Sequence, residues 1–451
     1  MAGADKVARL FTELSGQIER EDYKKALTTS TRILAIAPGD GDASICKALA
    51  HVHLGQVEEA LAAAEAAPAA AADDAAFVRA YCLYRLNRLT DASEALSSSD
   101  HADVSYQHIA AQVHYRLNEF AESLALYEAI AREDEDGATS ELATNMAAAL
   151  ARSGGLSALE HPLLKLSDHP NSYELAYNLA WSHVAAGNWA AAQRMLESAR
   201  DTCVRSLTEE EFNPGEIANE AAILRVQLGY VLQQQRKTEE ALEEYQGVLR
   251  QKPSDESVAA VASNNIVSLR GNAELFDSFK RNRQVMAEGL QRKLMPQQRM
   301  TFAFNRCVLL LYMRRLADAR TAVAALQEEY PDEATPWLLE AALLREEGRP
   351  DAECEACLKG FVERRAAVEG DDAARTQARV ALAHFAAETG RPGEAADLLR
   401  NIDGVGTSLG GAATAVALYR QAGRDEDAAA VLEVAAAYWG ERRGSAAASR
   451  E

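Results

Sequence analysis

Hydrophobic and polar positions along the chain are arranged in paired blocks of helical spacing. The stretch AYCLYRLNRLTDASEAL (80–96) runs through a small residue, an apolar pair, the motif YRLN, four further residues, a small residue and an apolar helix. The same order returns in AQVHYRLNEFAESLAL (111–126). Because apolar residues three and four positions apart form one face of a helix, the repeating unit is predicted to be two amphipathic helices joined by a tight turn.

The turn between the two helices has a recurring residue type. Asn87 and Asn118 stand where the first helix must stop, and asparagine tolerates the left-handed conformation that a helix C-terminus often needs. Glycine adopts it more readily and takes that place at Gly55, Gly154, Gly187, Gly348, Gly390 and Gly423. A small residue that lets two helix backbones approach follows five positions after a turn at Ala26, Ala60, Ala92, Ser123, Ala192, Ala241, Ala319, Ala395 and Ala428.

Proline ends several units at one fixed offset, because it cannot continue the second helix. Pro38 follows Ala26, Pro253 follows Ala241 and Pro331 follows Ala319 by the same distance, and Ala26 precedes Ala60 by 34 residues. This pattern resembles the tetratricopeptide repeat, whose period is about 34 residues. The predicted fold is all-α, a right-handed superhelical solenoid of about ten or eleven tetratricopeptide-like hairpins over residues 1–440. The fit is poor near 155–170, and near 268–285 the spacing alone indicates a hairpin.

Two segments depart from the period. The interval from Ala192 to Ala241 is about fifteen residues too long; the surplus lies in the acidic segment 200–220, interpreted as a long second helix plus a solvated loop turning at Asn213-Pro214-Gly215. Residues 441–451 are low in complexity and are predicted to be a disordered tail. Because no polar capping helix precedes this tail, the natural protein is expected to continue beyond residue 451.

Composition excludes several function classes. The formal charge is −21, from 47 Lys and Arg against 68 Asp and Glu. Binding to nucleic acid or anionic lipid needs a basic surface, so we expect neither direct RNA or DNA binding nor membrane binding. With no apolar signal segment and six scattered cysteines, the expected location is the cytosol.

The sequence contains no residue pattern typical of a catalytic or metal-binding site. Cys354 and Cys357 form the only close cysteine pair, inside a predicted helix, and His384 is the nearest downstream histidine. A structural zinc site needs further ligands at matching spacing. We interpret these cysteines as core residues, and we expect no cofactor, no metal and no enzymatic activity.

A helical solenoid does offer a concave wall built from the first helices of its hairpins. The inward-facing register of the tetratricopeptide pattern selects Ile45, Leu49, Val52 and His53 in the second hairpin, Val78 in the third and Ile109 in the fourth. It also selects the predicted partner-binding residues Phe77, Tyr81, Tyr84, Arg85, His108, Gln112, Tyr115 and Arg116. Aromatic rings and guanidinium groups are common anchors for a partner peptide. The alternative is that these tyrosines cover the seam between repeats.

A ladder of amides follows one inward-facing position through the middle of the chain. The predicted second peptide track consists of Asn145, Asn178, Gln227, Asn265 (or Asn264) and Asn305. A side-chain amide can both donate to and accept from an extended peptide backbone. Hydrogen bonding within the solenoid remains the alternative.

Several segments in one order resemble a particular family. AYCLYRLNRLTDA, TNMAAALARSGG, YNLAWSHVAAGNWAAA, the insertion beginning CVRSLTEEEFNPGE, and the ASNNIVSL hairpin are the ones that carry the resemblance. In this order they resemble the tetratricopeptide region of the largest (72-kilodalton) protein subunit of the eukaryotic signal recognition particle, over roughly residues 10–440.

The resemblance implies a cytosolic, non-enzymatic scaffold. Family members bind the C-terminal segment of the 68-kilodalton partner subunit through their N-terminal repeats, here hairpins one to four (about 7–136). The resulting heterodimer sits on the particle's RNA, and the particle delivers ribosomes bearing signal sequences to the endoplasmic reticulum. The lysine-rich region that contacts RNA in the family has no counterpart here, where the last residues offer only Arg442, Arg443 and Arg450. We therefore expect contact with particle RNA to be indirect, or to come from a C-terminal region outside these residues.

The rival function is a tetratricopeptide adaptor, or co-chaperone, that binds the C-terminal peptide of a heat-shock protein. Such an adaptor needs a cluster of Lys and Asn on three consecutive first helices. Hairpins two to four carry Cys46, Val78 and Ile109 at the decisive position instead. The pattern therefore favours the scaffold subunit.

Overall fold

A computed structural model describes residues 2–97, 103–133, 139–153, 157–291, 293–367, 373–402, 404 and 407–448, and every regular element in these ranges is helical. The helices of the N-terminal half are α1 (Ala2–Ile18), α2 (Tyr23–Ile36), α3 (Gly41–His53), α4 (Val57–Glu65), α5 (Ala72–Arg85), α6 (Leu89–Ser97), α7 (Val104–Leu117), α8 (Phe120–Glu133), α9 (Ser140–Ser153), α10 (Ser157–Glu160), α11 (Tyr173–Ala185), α12 (Trp189–Glu209) and α13 (Pro214–Glu220).

The remaining helices are α14 (Ala222–Gln234), α15 (Thr238–Gln251), α16 (Glu256–Arg270), α17 (Leu275–Val285), α18 (Glu288–Gln291), α19 (Pro296–Tyr312), α20 (Leu316–Glu329), α21 (Ala334–Glu346), α22 (Asp351–Arg364), α23 (Ala373–Glu388), α24 (Pro392–Arg400), α25 (Leu409–Gln421) and α26 (Asp425–Ala448). Three short 3₁₀ turns lie at Ala69–Ala71, Pro162–Leu164 and Arg365–Ala367. The all-α solenoid predicted from the repeat is confirmed.

Ten helix pairs share one hairpin geometry in the described part of the chain. One to three residues past the end of each first helix stands a residue whose φ lies between 56° and 79°. These residues are Glu21, Gly55, Asn87, Asn118, Gly187, Arg236, Arg314, Gly348, Gly390 and Gly423. The left-handed turns predicted at Asn87 and Asn118 are thus confirmed, whereas Gly154 lies outside the described residues.

The small residues of the second helices are buried where the two helices meet. All nine are fully buried except Ala428, which is 2% exposed. Pro38, Pro253 and Pro331 each stand two residues past the end of a second helix, at Ile36, Gln251 and Glu329. The predicted roles of small residue and proline are confirmed, since close helix approach leaves no room for a larger side chain.

The segment near 155–170 departs from the hairpin form, as its poor fit indicated. There α9 is followed by α10, which has only four residues, and by a 3₁₀ turn. The insertion begins as expected with a long second helix, because α12 has 21 residues. The expected loop is instead the helix α13.

Asn213 starts α13 because its side chain is a helix cap. Its Oδ1 accepts hydrogen bonds from the N–H groups of Gly215 (2.9 Å) and Glu216 (3.0 Å). The Glu216 carboxylate accepts from the N–H of Asn213 in return, at 3.0 Å. This reciprocal capping box, with Pro214 in the first helical turn, explains why a sequence read as a turn is the start of a helix.

The C-terminal prediction needs a correction. The backbone of α26 is helical as far as Ala448, so the segment from residue 441 that was predicted to be disordered continues the last helix. Residues 441–448 contain no proline and include alanine, glutamate and arginine, which favour helix. Residues 449–451 lie outside the described residues.

The helices group into two compact units. The first comprises residues 1–269 with 287–296, and the second comprises residues 270–286 with 297–451. The largest buried cluster of the first unit lies between α11 and α16 and includes Leu196, Leu224 and Tyr245. The second unit has buried clusters around Cys307 and Tyr419. The prediction of one array over residues 1–440 stays a prediction.

Candidate peptide-binding surface

The two YRLN motifs interlock across consecutive hairpins. Arg116 Nη2, at the end of α7, donates a hydrogen bond of 2.7 Å to Asn87 Oδ1 in the preceding turn. The Arg116 guanidinium carbon also lies 5.3 Å from the centroid of the Tyr84 ring. A cation at this distance from an aromatic ring is attracted to it. Tyr84 and Arg116 therefore cover the seam between repeats, which was the alternative interpretation of the motif.

The first YRLN arginine is displayed on the surface. Arg85 is exposed, and its Nη1 donates a hydrogen bond of 2.7 Å to the Tyr81 hydroxyl. Its guanidinium carbon lies 5.6 Å from the centroid of the Tyr81 ring. A guanidinium has five N–H donors, so one held by a single hydrogen bond can still bind a carboxylate in a bidentate manner.

The other predicted partner-binding residues are half-buried on α5 and α7. Phe77 packs against Tyr106 with 5.0 Å between ring centroids, and His108 meets Tyr127 edge-on at 6.1 Å. Tyr115 packs edge-on against Phe120 at 5.5 Å, and burial raises the pKa of its hydroxyl. Gln112 is half-buried on the same helix.

Tyr106 and Phe120 are half-buried partners of these residues, whereas Tyr127 is a core residue that is 2% exposed, and none of the three was predicted. Tyr106 meets Phe77 from 29 positions further along the chain, and no local pattern encodes such a pairing. The signal that could have revealed them is the presence of aromatic residues at matched positions of successive hairpins.

Two of the residues expected on the concave wall lie in the core. Val78 is 2% exposed and Ile109 is 7% exposed, and both pack in one cluster with Ala48, Ala60 and Val113. These inward-facing assignments were wrong. The repeat register predicts only the direction in which a side chain points from its own helix, whereas burial also depends on the neighbouring helices. In the second hairpin Leu49 is 37% exposed, and His53 stacks on Tyr23 with 3.9 Å between ring centroids.

Part of the amide ladder forms hydrogen bonds inside the solenoid. Asn178 Nδ2 donates to the Thr144 carbonyl at 2.9 Å. Asn265 Nδ2 donates to the Tyr245 hydroxyl at 3.2 Å. For these two residues the geometry favours the internal alternative, while Asn145 and Asn305 are half-buried.

Gln227 differs from the rest of the ladder. It is 8% exposed, and its Nε2 has no hydrogen-bond partner in the described part of the chain. Tyr230, one helical turn further along α14, lies 6.2 Å from Trp181 between ring centroids. Arg152 lies 5.9 Å from the Trp181 ring, and its Nε is also buried without an acceptor among the described residues. Buried donors are nearly always paired, so these two are available to a bound peptide backbone. A second peptide track at this place stays a prediction.

The cysteines are consistent with core residues. All six are free thiols, and Cys354 is fully buried. The Cys357 thiol lies 3.8 Å from the Trp337 carbonyl, and burial raises its pKa to about 11. Among the residues with described positions, no group of three or more His, Cys, Asp or Glu could hold a metal ion. A membrane span would need a longer and more apolar helix than any found in these ranges.

Comparison with known proteins gives consistent matches. A family model described as a putative TPR-like repeat matches residues 17–151, and a tetratricopeptide-repeat model matches residues 177–256 and 308–361. Signal recognition particle subunit SRP72 from dog is 32% identical over 345 residues, which is 76% of this chain and 51% of that protein. The human subunit SRP72 gives the same values. The Caenorhabditis elegans subunit is 28% identical over 403 residues, covering 89% of this chain and 60% of the relative.

The chain spans about half the length of the first two of these relatives. Among solved structures, yeast Tom70 is 13% identical with a TM-score of 0.38, over 96% of this chain and 92% of that one. The apo form of the quorum sensor NprR from B. thuringiensis is 13% identical with a TM-score of 0.44, over 88% and 98%. These scores are too low to bear on function.

Proposed function

Because the chain belongs to the family of signal recognition particle subunit SRP72, of which it carries the tetratricopeptide-repeat region, we propose that it is a scaffold subunit without catalytic activity. Its N-terminal hairpins bind the C-terminal segment of the 68-kilodalton partner subunit. Through that heterodimer it acts in the cytoplasm, in the co-translational targeting of secretory proteins to the endoplasmic reticulum.

One observation carries the proposal. Arg85 is exposed and held in place by Tyr81, beside a seam that the Arg116–Asn87 hydrogen bond fixes. A cation and aromatic rings held on rigid helices lose little side-chain entropy when a peptide binds. The preferred ligand is a segment with apolar side chains for the rings and a carboxylate for Arg85.

Isothermal titration of the full chain with the partner's C-terminal segment tests this function. We expect Arg85→Ala to weaken binding about tenfold, since a charge-assisted hydrogen bond contributes about 1.5 kcal/mol or more. Its melting temperature should be unchanged, because Arg85 is exposed. Tyr84→Ala combined with Tyr115→Ala should lower both affinity and melting temperature, because the Tyr84 ring also supports Arg116.

The matched control is Arg88→Ala, an exposed arginine in the turn after α5 that bonds only to Asp91 among the described residues. It removes the same charge and should leave affinity within twofold of the wild type. Equal affinity of Arg85→Ala and wild type would exclude the α5 and α7 surface around Arg85 as the binding surface. A pull-down from cytosol that recovers heat-shock chaperones and no particle protein would favour the adaptor function instead.

A further inference from the structure

A cavity of about 500 Å³ lies among the helices α9, α11 and α12. Its lining comes from Ser140 at the start of α9, from residues 168–174 at the start of α11, and from Ser206, Leu207 and Glu210 near the end of α12. All of these residues belong to the first compact unit. A cavity of this size can hold a few side chains of a ligand.

The charge of this cavity is one-sided. Asp168, Glu174 and Glu210 line it, and no lysine or arginine is among its lining residues. Glu220 adds a fourth carboxylate at its margin, where it accepts a hydrogen bond of 3.3 Å from the Tyr173 hydroxyl. None of these four carboxylates forms an ion pair with a described residue. The hydrogen bonds of Asp168 and Glu174 come from neighbouring serine hydroxyls, at 3.1 and 3.5 Å.

A buried hydroxyl on the cavity lining has no hydrogen-bond partner among the described residues. Ser206 is 9% exposed, and its Oγ makes no hydrogen bond within the described ranges. Buried polar atoms of folded proteins are nearly always paired. Ser206 is thus an unused hydrogen-bonding group on a cavity that already has three carboxylates on its wall.

The polarity of the site favours a cation over an anion. The Ser172 hydroxyl already caps α11 by accepting from the N–H of Leu175 at 3.2 Å, which occupies one of the donors that an anion would use. The carboxylates repel an anion and leave several acceptors for a planar cation with many donors. Guanidinium matches such an array better than ammonium does.

We propose that this cavity is a second docking site, which takes an arginine-bearing segment of a partner protein. Asp168, Glu174 and Glu210 bind the guanidinium, and Ser206 Oγ accepts one of its N–H groups. The site is independent of the α5 and α7 surface, so the two sites can bind two segments at once.

Fluorescence anisotropy with a labelled peptide of sequence GRGRGRG tests the site on the full chain. The test variant combines Asp168→Asn, Glu174→Gln and Glu210→Gln, all at exposed positions. We expect its dissociation constant to be at least tenfold higher than that of the wild type. Ser206→Ala should raise the dissociation constant about threefold, and the peptide GEGEGEG should not bind.

The matched control combines Glu58→Gln, Glu59→Gln and Glu65→Gln, three exposed residues of α4, and changes the net charge equally. It should bind the arginine peptide within twofold of the wild type. An equal loss in both variants would mean that the acidic surface as a whole attracts the peptide, and the site would be rejected. Absence of binding to the wild type would also reject it.

A second measurement avoids dependence on the folding of the variant. A GRGRGRG peptide with a photoreactive benzophenone should crosslink to wild-type peptides covering residues 168–174 and 206–210. Crosslinks elsewhere would overturn the assignment. Titration with the partner subunit's segment should give the same affinity for the test variant and the wild type, so this site and the α5 and α7 surface can fail separately.

Discussion

At three of the ten hairpin turns, a single residue holds a backbone conformation that its side chain opposes. Five of the ten left-handed turns use glycine and two use asparagine, whereas Glu21, Arg236 and Arg314 have a φ of 58°, 63° and 56°. A left-handed residue with an ordinary side chain costs about 1–2 kcal/mol, because its Cβ approaches the following carbonyl oxygen. Tertiary packing of the two helices imposes the turn despite this cost.

We expect Arg236→Gly to raise the free energy of unfolding by about 1 kcal/mol, because glycine relieves the left-handed strain. Arg236 is exposed, so little packing is lost. Urea denaturation followed by circular dichroism measures the change. Gly187→Ala, at the equivalent turn with a φ of 71°, should lower stability by a similar amount. A decrease for Arg236→Gly would contradict the strain argument.

At the scale of helices, the hairpin that begins with α11 is longer than the others, because its second helix is long and is followed by an additional short helix. The second helix α12 continues to Glu209, and the short helix α13 follows through the capping box at Asn213. The long helix was expected because the interval from Ala192 to Ala241 is about fifteen residues longer than the repeat period. The cap was misinterpreted because Asn-Pro-Gly is typical of both a turn and a helix start.

Asn213→Ala should lower the stability of α13 by about 1 kcal/mol, since it removes the acceptor for two N–H groups at the helix start. Hydrogen exchange measured by mass spectrometry should be faster over residues 214–220 and unchanged over α14 and α15. Glu209→Ala, an exposed change at the end of α12, serves as the control and should leave α13 protected. Unchanged exchange in Asn213→Ala would show that tertiary packing alone holds α13.

In the second unit, a hydrogen-bond network joins α24, α25 and α26 through Arg424, which also donates to Asp427 of α26 at 2.7 Å. Asp397 accepts hydrogen bonds of 2.7 Å from Arg424 and from the Tyr419 hydroxyl. The bond from Arg424 is the main cause of the lowered pKa of Asp397. A carboxyl whose pKa is lower in the folded state binds fewer protons there than in the unfolded chain. Its stabilising contribution is therefore present above the unfolded pKa and is lost as pH falls through the folded pKa.

We expect Asp397→Asn to lower the melting temperature of the second unit at pH 7 and to reduce its acid sensitivity. The unfolded aspartate pKa is about 3.9, so the wild-type melting temperature should fall more steeply than that of the variant between about pH 4.5 and pH 3. Calorimetry over this range measures both slopes. Glu433→Gln, an exposed carboxyl on α26, should keep the wild-type slope. Parallel slopes for Asp397→Asn and wild type would refute the linkage.

At the scale of the whole molecule, the helices of each unit pack mainly on their neighbours along the chain. Repeat arrays of this kind gain stability from individual repeats and the interfaces between them, so damage to one hairpin stays local. Ala92 in the first unit and Ala319 in the second occupy the same buried slot and are fully buried. Equivalent substitutions at these two positions can therefore distinguish an effect on folding from an effect on partner binding.

Ala92→Leu and Ala319→Leu should each destabilise their own unit by about 1–3 kcal/mol through overpacking. Only Ala92→Leu should weaken binding of the partner segment, because α6 supports the Arg85 surface. Hydrogen exchange reports the local effect and titration reports the affinity. A loss of affinity in Ala319→Leu equal to that in Ala92→Leu would mean that partner binding is not confined to the N-terminal hairpins.

The repeat register placed several surface residues correctly on first helices, although their role in binding stays a prediction, and its errors share a cause. Tyr81, Arg85 and Tyr115 are accessible or half-buried on first helices, where the repeat register put them. Val78 and Ile109 were wrong because a helical register describes rotation around one axis and contains nothing about the neighbouring hairpins. The interlock of Arg116 with Tyr84 and Asn87 depends on the same neighbours.

The sequence by itself determined the local features: helix pairs, left-handed turns at glycine and asparagine, small residues at helix crossings and prolines after second helices. These follow from backbone sterics and apolar spacing within a few tens of residues. Only the tertiary structure decided which arginine stays exposed and which one covers a seam. It also placed Ser140, Glu174 and Ser206 around one cavity. Such residues lie far apart in the chain, and the packing of whole helices brings them together.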